Sequence, residues 1–580
     1  MSLLSLGISE KINNFSSNKL VKKTWYATNI GIFLLFIIIP TLFVLFYFFD
    51  DLHLINSFVL TNSSRLSIIF HAVFLSFAVS FTVTAVDLIF GLVVAWVIAK
   101  KNFKGKELVN TLIESPLAIP TAGLGFSVAL FWGKTPGGPL LRFGSLQLVN
   151  NVFLLIVLFH FTTTFPYVVR SLSELLEEID NSYEIAALTC GASRFTAART
   201  ITLPMFRSGI ATAAILSMVK SLSDTGGVVA LLTTLKGSPL TENDTIQGTA
   251  LIDVWKHAQG NADQYQAALT FVALLMISLS LIILFLMKWS IKSFKSPSKK
   301  VYPNFEHKIS TKMYVNFRNA ISFSFLLLFI FVPSFFILAF LVETPISNNN
   351  WDPFLNSIAL SFLIATIATL LSALLGLTIG IIITRKKSRF SLILDSLIDI
   401  PYLVPSAALG ISVGLFWNSP IAPISYFGIR MPSVILVIFV HTAMVFPFIT
   451  RNIVGGLEEF DVSIEETART LGARPFSVFK DLTLPAIKGS ILAGAVMAFT
   501  RSVGETGATS AVSSLQTAPV YIVNQIKVVN YGLAALATLL LTVIGYLFII
   551  TSKLLINSSS VKQSFMKFKQ HFLNQNKVTS

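Results

Sequence analysis

Ionisable side chains are scarce in this sequence, and two pairs of them stand inside its apolar stretches. Lys220 and Asp224 stand four residues apart on one helix face, and Arg501 and Glu505 repeat the arrangement 281 residues later. Such a pair can neutralise itself within its own helix. Charges inside apolar spans also mark ion routes, so the second reading is a gate element lining a translocation pathway. Thr225-Gly226-Gly227 follows one pair and Thr506-Gly507-Ala508 the other. Asp87 has no acidic counterpart, Ser372 standing in its place, and is expected to have a local partner. His160 and His441 recur at equivalent positions and are expected to be hydrogen-bonded bundle residues. No group of His, Cys, Asp or Glu has metal-ligand spacing, and the single cysteine, Cys190, excludes an internal disulfide. Neither metal, cofactor nor catalytic residue is expected. No G-x-x-x-x-G-K-[ST] occurs: the nearest approach, Gly133-Lys134-Thr135, has Val128 where the first glycine belongs. The chain carries no phosphate cradle of that type and is not expected to be an enzyme. Any ATP hydrolysis falls to a partner.

The elements that must hold these residues are membrane helices. With 54% hydrophobic and 12% charged residues and a mean hydropathy of +0.75, the 580-residue chain is not that of a soluble protein. Runs approaching the ~20 apolar residues a bilayer requires lie near 27–49, 68–98, 109–132, 150–170, 207–231 and 265–288. A second set lies near 319–342, 355–384, 393–417, 432–451, 488–512 and 531–553. The second span of each set is longer than a bilayer needs, so it should tilt or project beyond it. The first 25 residues are polar and basic, so no removable signal peptide is expected.

Basic residues set the expected orientation. Lys19, Lys22 and Lys23 precede the first span, Lys100, Lys101, Lys104 and Lys106 follow the second, and Arg385, Lys386, Lys387 and Arg389 match them in the other set. The segment between the sets and the C-terminal tail are also rich in lysine, whereas 50–66 holds only Arg65 and 343–354 has no Lys or Arg. Both termini are therefore expected in the cytoplasm, in a multi-pass protein of the cell membrane. The net charge of +15 is a topology signal rather than a nucleic-acid footprint.

The chain repeats itself. Residues 184–204 (EIAALTCGASRFTAARTITLP) and 465–485 (EETARTLGARPFSVFKDLTLP) share nine of 21 positions without gaps, against roughly one or two by chance. Residues 116–132 match 401–417 at ten of 17 positions, and His160, Pro166 and Arg170 correspond to His441, Pro447 and Arg451. Six spans in each half, an even number, make the repeats parallel. The expected fold is an all-α polytopic membrane protein of about twelve helices: a first repeat 1–288, a basic linker 289–318, a second repeat 319–556 and a tail 557–580. The two polar islands, loops 180–204 and 461–485, should each hold a short helix. Asn181 with Glu184 and Ser463 with Glu466 have capping-box spacing, small residues at Ala186, Ala187 and Ala468 leave a face open to close approach, and Gly191 and Gly472 should end the helices. A second short helical piece should follow, before Pro204 and Pro485 open the next membrane helix. Two matched copies read as docking elements.

At these residues the sequence resembles the type I inner-membrane permeases of binding-protein-dependent ABC importers, whose hallmark is a cytoplasmic Glu-Ala-Ala loop with Gly six residues after the Glu and Leu-Pro further on. Glu466, one residue after Glu465, through Gly472, then Leu484-Pro485, fits with Thr467 in place of the first Ala. In the first copy Ile185 stands where the family has Glu, with Ala186 and Ala187 in place and Glu184 one position early. The resemblance covers nearly the whole chain. It implies that each loop inserts a coupling helix into a cleft on a cytoplasmic ABC ATPase dimer and that an external substrate-binding protein delivers the solute; membrane lipid is a further expected partner, and, from the charge distribution, nucleic acid is not. Gly504 through Thr509 is similar to a segment of molybdate, tungstate and sulfate permeases, while two fused domains are more typical of ferric-iron and thiamine permeases. The implied cargo is a small inorganic ion. Loop 232–264, with Glu242, Asp244, Asp253 and Asp263, is read as the docking surface for the binding protein. The rival class is a secondary transporter of the major-facilitator kind, which also has twelve helices in parallel halves but no reason to repeat such a loop.

Overall fold

Bilayer-length apolar runs leave no choice but helix, because only helices and closed barrels satisfy every backbone group in lipid. The computed structural model describes residues 18–133, 149–293, 302–343, 351–386, 388–420, 428 and 430–557, and among these there is no strand. Among the described residues eight helices are long and apolar enough to cross a membrane, and the number reaches twelve when each of four bent pairs counts as one span. Ser63–Lys100 and Asp352–Arg385, at 38 and 34 residues, are the over-long second spans expected. Residues 294–301 of the expected linker, the tail from 558 and Lys134-Thr135 lie outside the described residues.

Four expected spans are not continuous. The helices Lys106–Ala118 and Thr121–Trp132 meet at 106°, and Arg389–Leu403 and Ser406–Asn418 at 108°. The cause is the residue before a proline, which is driven out of the helical region by the ring. Ile119 before Pro120 (φ −85°, ψ 130°) and Val404 before Pro405 (φ −79°, ψ 129°) are extended. Arg451, which binds Asp395 and Asp399, closes one elbow, and Arg170 closes the other on Glu114, Asp399 and Glu114 being equivalent positions. The runs 207–231 and 488–512 are also interrupted. Arg207–Ser223 ends before Asp224 and restarts as Gly226–Lys236, and Lys488–Val503 ends before Gly504 and restarts as Gly507–Val512.

Each half surrenders its first span to the other. Leu20–Leu42 packs on the second half, with Phe33 against Phe446 and Phe36 against Trp417. Lys312–Val342 packs on the first, with Phe325 stacked on Phe90 and Phe329 on Trp132. Both carry a proline two residues after a π-helical stretch, Leu34–Ile38 before Pro40 and Leu327–Phe331 before Pro333. A proline lacks the N–H that would close the next bond, and a wider turn accommodates it. The disturbed backbone is satisfied across the interface. Ser412 Oγ donates to Pro40 O (2.8 Å) and accepts from Val44 N (3.0 Å), while Ser127 Oγ donates to Pro333 O (2.7 Å) and accepts from Ile337 N (3.1 Å).

Candidate functional site

Each of the two islands folds into a short helix with the same internal bracing. Ser182–Thr189 and Val462–Thr470 end at Gly191 and Gly472, which adopt φ +87° and +89°. Ala192 N donates to Ala187 O and Ala473 N to Ala468 O, both at 3.0 Å, the six-to-one bond of a Schellman terminus. The N-termini are not the capping boxes expected. Asp180 and Asp461 accept from Ser182 N and Ser463 N, at 2.9 Å each, and these bonds hold both carboxyls below the usual range. Asn181 instead accepts from Lys100 Nζ at 2.7 Å. A second helical piece follows in each island, Arg194–Met205 and Pro475–Ala486, and passes through Pro204 and Pro485 into the next helix with bends of 70° and 63°.

The glutamates divide by direction. Glu184 accepts from Thr202 Oγ1 (2.6 Å) and stands 4.0 Å from Lys100 Nζ; Glu465 accepts from Thr483 Oγ1 (3.0 Å) and from Arg385 Nη2 (3.0 Å). The two are structural equivalents, tying the island helix to the end of the long second span and to its own return segment. Glu466 is exposed, as is Ile185 at the corresponding position of the first copy. The outward face is completed by Tyr183 and Leu188 in one copy and Val462, Ile464 and Leu471 in the other, all exposed. Sequence reasoning passed over these residues, yet apolar side chains exposed on a polar loop were the available signal. Ala186 and Gly191 are exposed, Ala187 and Ala468 half-buried, Gly472 and Pro485 exposed and Pro204 half-buried.

The linker is more than a tether. Its helix Pro303–Ile309 docks on the first island through a buried Glu306, which accepts from Thr196 Oγ1 (2.5 Å) and Arg199 Nη2 (2.6 Å), while Ser310 Oγ accepts from Phe195 N (2.9 Å). The Thr196 hydroxyl, with the Tyr302 amide and Arg199, holds the Glu306 carboxyl below the ordinary range. A depressed carboxyl adds stability above its undocked pKa, about 4.3, and that contribution is lost as pH falls through the lowered, docked value. Limited proteolysis should therefore find residues 302–311 protected at neutral pH and cut faster only in strong acid, whereas Glu306→Ala should be cut fast at both.

At the centre of the molecule the paired charges lie where the halves meet. Arg501 Nη1 is 2.5 Å from Glu505 Oε2 and Lys220 Nζ is 3.7 Å from Asp224 Oδ2, with every one of these side chains at least nine-tenths buried. Each acid also caps the helix that restarts after it: Asp224 Oδ1 accepts from Gly227 N (3.2 Å) and Glu505 Oε1 from Ala508 N (2.9 Å). The pairs are within electrostatic reach of one another, Lys220 feeling Arg501 and Glu505, and Arg501 feeling Asp224. They form one cluster shared by both halves. Beside it Thr225 lies against Gly507 and Thr506 against Gly226, so closely that a Cβ on either glycine would collide with the facing threonine. Ser406 Oγ donates to Ser223 O (2.7 Å) across the same seam. His441 binds Ser502 Oγ (2.7 Å) and Thr509 Oγ1 (2.9 Å), and His160 binds Gln247 (2.9 Å). Asp87 accepts from Thr164 and Ser217, each at 2.6 Å. Of the four acids expected on the surface of loop 232–264, Asp253 is instead buried and bonded to Lys527 Nζ of the other half at 2.9 Å. Among the described residues no group of His, Cys, Asp and Glu could hold a metal ion.

The family model described as binding-protein-dependent transport system inner membrane component matches residues 87–296 and again 376–559. The molybdate/tungstate transport system permease protein WtpB of Pyrococcus furiosus is 34% identical over 228 residues, which are 38% of this chain and 87% of that protein. The sulfate transport system permease protein CysW of Synechococcus elongatus is 32% identical over 212 residues, 34% of this chain and 73% of that protein. Most of each relative thus corresponds to less than two-fifths of this chain.

Proposed function

The chain belongs to the family of binding-protein-dependent transport system inner membrane components, and on that premise we propose that it is the fused permease of an ATP-driven importer for a tetrahedral oxyanion of the sulfate and molybdate class. The observation that carries this reading is the double match, at 87–296 and 376–559, with one Gly-terminated island inside each matched region. Two permease repeats, 1–288 and 319–556, joined by the linker 289–318 and followed by a tail 557–580, replace two separate subunits. The islands are coupling helices for a pair of ATPases, with Glu184 and Glu465 as internal braces and Glu466, Ile185 and the apolar residues beside them as the docking face. Both termini lie in the cytoplasm, where the basic residues fall. An external binding protein delivers the ion to the opposite end. The relatives' printed substrates favour an oxyanion over ferric iron or thiamine.

The test is uptake of labelled molybdate, tungstate and sulfate into vesicles that hold the chain with its ATPase and binding protein. Uptake should require ATP and survive collapse of the ion gradients. Uptake that follows a gradient and ignores ATP would overturn the reading in favour of a secondary transporter.

A further inference from the structure

A cavity lies on the seam between the halves, lined by residues of both. It has a volume of about 210 Å³, and Thr225, Gly226, Thr506, Ser510 and Asn524 are among its lining residues. Two observations mark it as a place for a ligand rather than a packing fault. The first is that Thr225 Oγ1 and Thr506 Oγ1, on residues 2% and 3% exposed, have no hydrogen-bond partner. Buried hydroxyls are normally satisfied, and an orphan asks what it binds. The second is symmetry: these threonines are equivalent residues of the two repeats, one from each half, each set at the restart of a broken helix. Discontinuous helices at a repeat interface are where transporters hold small ions.

The chemistry of the lining fits an acceptor-only guest. Hydroxyls can turn to donate, and Asn524 offers an amide NH₂. Lys527 and His257 bring donors from two short helices, Ala518–Lys527 and the end of Gly248–Lys256, and also line the cavity. The one carboxylate, Asp253, is bonded to Lys527 Nζ at 2.9 Å and stands 3.7 Å from His257 Nδ1. With Lys527 and Asp253 cancelling, the cavity carries dipoles rather than a standing positive charge. Such a site can hold an anion without trapping it, as conduction requires.

We infer that this cavity is a resting site for a tetrahedral oxyanion in transit, received by the Thr225 and Thr506 hydroxyls of the two halves. This rests on the oxyanion-importer reading. The test uses the full chain with its ATPase, reconstituted in vesicles, and molybdate and sulfate as probes. Thr225→Val/Thr506→Val removes both hydroxyls at nearly constant shape. Because neither hydroxyl makes a bond in the protein, the variant should melt in detergent no lower than wild type and still co-purify with the ATPase. Its oxyanion uptake at subsaturating concentration should fall at least ~10-fold, the loss of two hydrogen bonds to a charged guest. Thr225→Ser/Thr506→Ser, which keeps both hydroxyls, should retain most of it. A Val variant that transports like wild type, or a Ser variant that fails as the Val variant does, would overturn the site. A Val variant that melts well below wild type would also overturn it, since the hydroxyls would then be structural. Failure of the underlying reading shows instead in the wild type, as an ATP-driven transporter that moves no oxyanion.

Discussion

Replacing Gly191 and Gly472 together with glutamate abolishes recovery of the ATPase with the chain and stops ATP-driven uptake. Both glycines hold a left-handed backbone, at φ +87° and +89°, a conformation that costs an ordinary L-residue about 1–2 kcal/mol. Nothing lies within 4 Å of where their Cβ atoms would be, so the substitution meets no clash inside the chain. It acts by unwinding the Schellman terminus and by placing a charged side chain on the face a partner must approach. Asparagine separates the two effects, since it enters the left-handed region readily. Gly191→Asn/Gly472→Asn should keep the helix ends and retain much of the ATPase, as judged by co-purification in mild detergent. If the glutamate variant binds the ATPase as well as wild type does, the islands are not the coupling elements.

Glu505→Gln lowers the stability of the chain by about 3–5 kcal/mol, the cost of stranding one member of a buried ion pair. Arg501 cannot shed its proton, and its nearest carboxylate, 2.5 Å away, would be gone. The neutral side chain still offers an oxygen to Ala508 N, so the loss comes chiefly from the charge. Replacing both partners with apolar residues of similar size, Arg501→Met/Glu505→Leu, should bring the melting temperature back towards wild type. Uptake is where the two readings of these charges part. A pair that only neutralises itself leaves the double variant transporting, whereas a gate element leaves it stable and inactive. The cluster joins both halves and lies beside the broken helices, and stable but inactive is the expected outcome. A double variant that transports at the wild-type rate would return the pair to a purely structural role.

Much of this protein was legible before its structure. Hydropathy gave the spans, because a membrane helix must be apolar along its whole length. The nine shared positions of the islands gave the duplication, and their glycines the helix ends, because only glycine takes φ near +90° without strain. The pairing of Lys220 with Asp224 and Arg501 with Glu505 was also readable, since four residues is just over one helical turn. Even the elbows had a sign in the sequence: Ile119-Pro120 and Val404-Pro405 sit inside runs that hydropathy alone treats as straight.

Tertiary structure decided the rest, for reasons local patterns do not contain. Apolarity is the same whichever neighbour buries it, so hydropathy could not say that each first span packs on the opposite half; Ser127 and Ser412, reaching across to Pro333 and Pro40, record that choice. The capping-box spacing at Asn181 and Ser463 lost to Asp180 and Asp461, which stand one and two residues earlier and accept from the free amides of Ser182 and Ser463. Asp253 looked like a surface acid until its partner, Lys527, arrived from 274 residues away. The two orphan threonine hydroxyls acquire meaning only when the halves close on one another, because a cavity belongs to neither half alone.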